Sequence, residues 1–150
     1  VTAEQTIAKL GLGPLPGEGG YFRRFYTHPQ GTASAIHYLI TKDSFSALHR
    51  ISSDELFHFH EGHPAEMLQL HPDGTGRIVR LGPENERVAL VPGGAWQGMR
   101  LADSAPAGAF ALFAVSVHPA YRGEDFELGD AQSLAASHPD WISEIQRLTR

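Results

Sequence analysis

Between residues 21 and 117 the apolar positions come in short runs, and many of them alternate with polar ones. Alternation with period two puts successive side chains on opposite faces of an extended chain, so each run predicts a β-strand. The runs cover residues 21–26, 34–40, 45–51, 55–60, 65–71, 77–81, 88–91, 96–101 and 110–117. The joints carry turn chemistry: Glu61-Gly62, Pro72-Asp73-Gly74 and Pro92-Gly93-Gly94. Many short strands with few helices between them predict an all-β sandwich or barrel rather than a parallel sheet.

Helical spacing is confined to the two ends. Thr2 and Gln5 form a capping box, Ile7 and Leu10 share one helical face, and Gly11 is a natural stop. Residues 13–20 hold four glycines and two prolines, which predicts an irregular loop. Glu18 lies in that loop beside Gly19-Gly20, where backbone can approach a ligand closely. Near the end, Asp130 caps a short helix running to Ser137. Pro139-Asp140 opens a last one, with Trp141, Ile142, Ile145 and Leu148 on its apolar stripe. These helices are expected to pack on the outside of a single β domain spanning residues 1–150.

Composition narrows the function classes. A net charge of -5 without a basic run argues against nucleic acid and anionic membrane surfaces as partners. The absence of cysteine excludes disulfides, thiolate metal sites and a cysteine nucleophile. The first residues lack the pattern of a signal peptide, and no apolar run approaches the ~18 residues of a membrane span. The expectation is a cytoplasmic protein.

The richest stretch is Leu48 to Gly62. It holds three of the nine histidines, His49, His58 and His60, with the carboxylates of Asp54 and Glu55 between them. Within it Glu55, Phe57 and Phe59 share one strand face, and Leu56, His58 and His60 the other.

Two segments resemble the cupin signature. The first cupin motif reads G-x5-H-x-H-x3–4-E-x6-G, and His49, Glu55 and Gly62 stand at its first histidine, its glutamate and its closing glycine. The second reads G-x5-P-x-G-x2-H-x3-N, and Pro92, Gly94 and Gln97 occupy its proline, glycine and histidine places. Further matching pieces are Glu18-Gly19-Gly20-Tyr21-Phe22-Arg23, Phe45-Ser46 and residues 125–130. Together they resemble the small single-domain cupins of the fifth cupin family, whose activity is unassigned. The resemblance implies a cupin jelly-roll barrel, like that of the sugar-nucleotide epimerases of the deoxyhexose pathway, and a homodimer. The departures bear on chemistry. Ile51 stands at the motif's second histidine and Gln97 at its last. Leu15 replaces a histidine, and Arg24 a glutamate, that such relatives carry.

Under this resemblance His49 and Glu55 point into the barrel mouth as an acid–base pair, able to move a proton next to a carbonyl. Gln97 takes the place of the last metal ligand and can both donate to and accept from a polar ligand. Tyr21, Arg23 and Trp96 complete the expected ligand-binding set, Arg23 as an anion clamp and Trp96 as a stacking surface. Tyr21, Tyr26 or Tyr38 could supply an acid opposite His49. His58 and His60 fall on the other face from Glu55, which suits packing or a subunit interface. No cofactor is expected, because an amide is a weak ligand for a borderline metal and Ile51 is none. The reading is a metal-independent isomerase- or epimerase-like protein acting on a small polar ligand, such as a sugar- or nucleotide-linked one. Two alternatives stand beside it. One is a metal-dependent oxygenase or isomerase with weakly bound divalent metal on His49, Glu55 and Gln97; the other is a binding module without catalysis.

Overall fold

A computed structural model describes the chain from Val1 to Arg150. Two antiparallel sheets face each other. The larger has six strands in the order β1 (Gly13–Pro14), β2 (Tyr21–Thr27), β3 (Ser34–Thr41), β10 (Phe110–His118), β5 (Asp54–Gly62) and β8 (Val88–Val91). The smaller has five: β11 (Glu127–Leu128), β4 (Ser46–Arg50), β9 (Trp96–Leu101), β6 (Ala65–Leu70) and β7 (Gly76–Leu81). Sequence neighbours are often in different sheets, the crossing pattern of a jelly roll. The nine strands expected from the sequence are all present, with no end displaced by more than two residues.

Strand patterns follow from what covers each face. Between the sheets lies the main core, with Tyr38, Phe57, Phe59, Met67, Met99 and Phe113 among its buried members. Rings of Phe57 and Phe59 meet Phe113 edge-on at 6.0 and 5.7 Å. The outer face of the smaller sheet is covered by α2 (Ala131–Ser137) and α3 (Ile142–Arg147), whose Leu134 and Ile145, with Leu148 at the end of α3, pack on Leu48, Leu68 and Leu70. This double coverage explains why five of the six β6 residues are buried, Gln69 among them. Each large apolar side chain taken from water contributes about 1.5–3 kcal/mol before entropy is counted. At the other end α1 (Ala3–Leu10) lays Ala3, Ile7 and Leu10 on Leu39, Phe110 and Leu112. Its capping box is formed as expected, and Gly11 ends it in the left-handed region at φ +67°.

Four local expectations are corrected. Residues 13–14, expected as loop, and residues 127–128, outside the nine expected runs, are short strands, because they pair with β2 and β4, partners that local sequence does not display. The last helix begins as a 3-10 turn at Pro139–Trp141, and Ile142 is 42% exposed, so the buried stripe is Trp141, Ile145 and Leu148. A bulge in β2 between Arg24 and Tyr26 interrupts its alternation. It places Tyr26 opposite Ala35, whose side chain points away from the core, instead of on the barrel side with Phe22 and Arg24. No helix of the chain is long and apolar enough to cross a membrane.

Candidate functional site

The open end of the barrel holds a cavity of about 170 Å³. Its wall is mostly apolar, built from Phe22, Ile36, Ile51, Phe57, Val115 and Phe126. Glu18, His49, Glu55 and Arg24 break that wall with groups that can carry charge, and Tyr38 and Tyr121 add two phenols.

His49 lies on β4, facing inward and only 4% exposed. Its Nδ1 is 2.7 Å from the Ala47 carbonyl oxygen. A carbonyl only accepts, so Nδ1 carries a proton and Nε2 is the nitrogen left to exchange one. The ring stacks on Phe126 with centroids 5.3 Å apart and planes 21° apart. Its Nε2 is 3.6 Å from Glu18 Oε1.

Glu18 is fixed by the loop that carries it. Its Oε2 accepts from Ser46 Oγ at 2.9 Å. Its carbonyl accepts from Ala47 N at 2.8 Å and from the Arg150 guanidinium at 3.2 Å, so the chain's last residue ties down the loop. The Tyr38 hydroxyl donates to Gly19 O at 2.6 Å. Gly20 has φ +80°, and a Cβ there would lie 2.6 Å from Tyr38 Oη, so only glycine permits this approach.

Glu55 opens β5 on the face it shares with Phe57 and Phe59, as the alternation requires. Its Oε1 accepts from Gln97 Nε2 at 2.6 Å. Burial raises its pKa to about 7; His49 pulls it down, Glu18 pushes it up, and the Gln97 bond pulls it down again. Near neutral pH this carboxyl therefore exists in both forms, a state suited to giving and taking protons. Tyr38 is held well above the ordinary phenol range by burial and by Glu18, and its proton is committed to Gly19.

The fold thus unites His49, Glu55 and Gln97 but not the rest of the expected set. Tyr21 and Arg23 sit on the opposite face of β2. Tyr21 packs beside Ile7 and Leu10, and Arg23 Nη1 donates to Leu10 O at 3.3 Å. The inward positions of that strand are Phe22 and Arg24. Trp96 points out of the barrel toward the C-terminal helices, with the Arg50 guanidinium 4.5 Å over its ring. It cannot stack on a ligand in the cavity. Glu18, Ser46, Arg24, Tyr121 and Phe126 were not among the expected site residues. Glu18 had a signal in its adjoining glycines and Phe126 lay in the cupin-like piece 125–130, whereas Tyr121 comes from a segment with no pattern of its own.

His58 and His60 lie on the outer face of β5, away from Glu55, as their parity predicts. His60 meets His37 edge-on at 6.2 Å, and His37 in turn packs on Phe25 at 4.7 Å.

A family profile described as Cupin superfamily (DUF985), named Cupin_5, matches residues 4–129. The chain is a cupin. No curated protein matches the sequence. Among solved structures, this cupin is similar to a protein from Shewanella oneidensis at 28% identity, covering 100% of this chain and 98% of that one, with TM-score 0.89. A hypothetical protein from Leishmania major is similar at 27% identity, with 99% of both chains covered and TM-score 0.89. The oxalate decarboxylase of Bacillus subtilis shares the fold at 14% identity, with 91% of this chain and 37% of that one covered and TM-score 0.62.

Many cupins hold a metal on three imidazoles and a carboxylate. The donor set here does not fit that centre. Buried Ile51 fills the second imidazole's place, and Gln97 turns its amide nitrogen toward Glu55. No three His, Asp or Glu side chains of this cupin are grouped closely enough to share one ion.

Proposed function

We propose that this cupin is a metal-independent proton-transfer catalyst, of the isomerase or epimerase type, acting on a small ligand with an acidic carbon beside a carbonyl. The observation that carries the reading is the buried Glu55 carboxyl, poised near pH 7 in the same wall as an imidazole whose tautomer is fixed. In this reading the His49 Nε2 lone pair takes the proton from carbon. Glu18, 3.6 Å away, stabilises the imidazolium that forms. The protonated Glu55, held by Gln97, gives its proton to the carbonyl oxygen, producing an enol. Return of one proton to carbon, on the other face or the neighbouring carbon, and of the other to Glu55, restores the enzyme. Protons balance over the cycle, and no electron leaves the substrate.

The test is solvent exchange. The protein is incubated in D2O with a library of small carbonyl metabolites, and deuterium at carbon is read by NMR and mass spectrometry. Incorporation that survives a chelator is the expected result. Saturable binding without incorporation makes the protein a binding module instead. Incorporation abolished by the chelator and restored by a divalent ion moves the chemistry to a metal.

We further propose a homodimer formed through the outer face of the larger sheet. One cross-strand row there reads Tyr26, Ala35, Ser116, Leu56 and Leu90, spanning five strands. Tyr26 and Leu90 are 45% and 46% exposed, and the row carries no charge. Two chains of net charge -5 repel least across such a face. Light scattering on a sizing column should give twice 16.3 kDa for the native chain and the single mass for Leu90→Lys. A native monomer would overturn the dimer.

A further inference from the structure

The charges around the cavity are arranged in order of depth. His49, Glu18 and Glu55 sit at its inner end with little exposure. The apolar wall follows, and Arg24 stands exposed at the mouth. Arg24 differs from the chain's paired arginines. Arg50, Arg80, Arg100, Arg122 and Arg147 each meet a carboxylate within ion-pair distance. Arg24 meets none, and its polar contact is one long bond, 3.5 Å from Nη1 to Thr27 Oγ1. What holds its guanidinium in place is the ring of Tyr121, with Cζ 5.7 Å from the centroid. The Tyr121 backbone is in turn fixed by a 2.9 Å bond from its N–H to Ser34 Oγ. A planar cation within cation–π reach of an anchored ring, with most of its donors unspent, is prepared to receive an anion.

The geometry points to an anion subsite formed by Arg24 and Tyr121 at the cavity mouth, and to a small organic carboxylate with an apolar body as the ligand. This deepens, and rests on, the reading of the His49–Glu55 cluster as the reacting end. The apolar wall accounts for the body of such a ligand, which spans the cavity between guanidinium and imidazole. A monoanion is favoured over a phosphate ester by charge count. Arg24 offers one positive charge, and a second negative charge would face Glu18 across the cavity. A cavity of about 170 Å³ also suits a small acid better than a whole sugar nucleotide.

The experiment measures binding, not turnover. Phenylacetate, phenylacetamide and phenyl phosphate are titrated into the intact protein and followed by ligand-observed NMR. The same is done for Arg24→Gln, with Arg23→Gln as the control on the opposite face of the strand. The expected result is that phenylacetate binds on the order of tenfold more tightly than the amide, as one charge-assisted contact supplies. Arg24→Gln should erase that preference with an unchanged melting temperature, and Arg23→Gln should keep it. Absence of saturable phenylacetate binding, equal binding of acid and amide, or indifference to Arg24→Gln overturns the subsite. Tighter binding of phenyl phosphate overturns the choice of carboxylate. Because no outcome here depends on catalysis, failure leaves the D2O exchange result standing. Arg24-dependent carboxylate binding without exchange would leave a carboxylate-binding module.

Discussion

Above pH 7 the Glu55→Gln variant will gain about 3 kcal/mol over the wild type, relative to their difference at pH 4. The sign follows from linkage. The folded-state pKa of Glu55 is raised from the ordinary 4.5 to about 7, so the folded chain binds this proton more tightly than the unfolded chain does. The stabilisation is fully present below the unfolded pKa and is lost as pH rises through the folded one. Ionised Glu55 then remains 7% exposed, in a wall shared with Phe57. Its partial compensation is the Gln97 bond, with His49 nearby and Glu18 opposing. A glutamine keeps the shape and still accepts from Gln97 but has no charge to bury. Urea denaturation of both proteins at pH 4, 6 and 8 measures the effect. Stability curves that stay parallel across that range would remove the perturbed carboxyl, and with it the acid of the proposed mechanism. The same titration predicts that exchange activity declines on the alkaline side with an apparent pKa near 7, as the acid form disappears.

His49→Ala is expected to lower the rate of deuterium incorporation by roughly 10²–10⁴-fold, the usual contribution of a positioned general base. Stability should fall by only about 1–3 kcal/mol, because the lost contacts are one bond to Ala47 and the stacking on Phe126. Added imidazole, which fits the space vacated by the side chain, should restore part of the rate. A loss under about tenfold in a folded variant would assign proton abstraction to another group, and Glu18 would be the next to replace. Glu18→Gln separates the two roles: as a stabiliser of the imidazolium it leaves a slower reaction that still depends on His49.

The sequence and the structure agree where the deciding interactions are local. Thr2 and Gln5 close their capping box within one helical turn. Asp130 caps α2 through Ser133, three residues on. On β5, strict alternation separates Glu55 from His58 with no outside information. The cupin motif spacing located His49, Glu55 and Gln97, and these three do converge.

Where a strand is covered on both sides, alternation divides its residues into two sets without saying which set faces the cavity. Tyr21 and Arg23 were one such set on β2, and the docking of α1 on their side left the cavity to Phe22 and Arg24. Trp96 was turned outward in the same way by the helices packed on β9. The bulge in β2 depends on pairing with β3, so the position of Tyr26 could not be read from β2 alone.

By itself, then, the sequence determined nine of the eleven strands, their two-faced character, the caps at Thr2 and Asp130 and the motif positions of His49, Glu55 and Gln97. Each of these rests on short-range spacing or on motif positions. The tertiary structure alone decided that Glu18 from the N-terminal loop and Phe126 from the C-terminal segment meet on either side of His49. It also decided that Arg24 and Tyr121 guard the mouth and that Glu55 titrates near neutrality. Proximity between distant segments and the burial of a charge are properties of packing, and no local pattern encodes them.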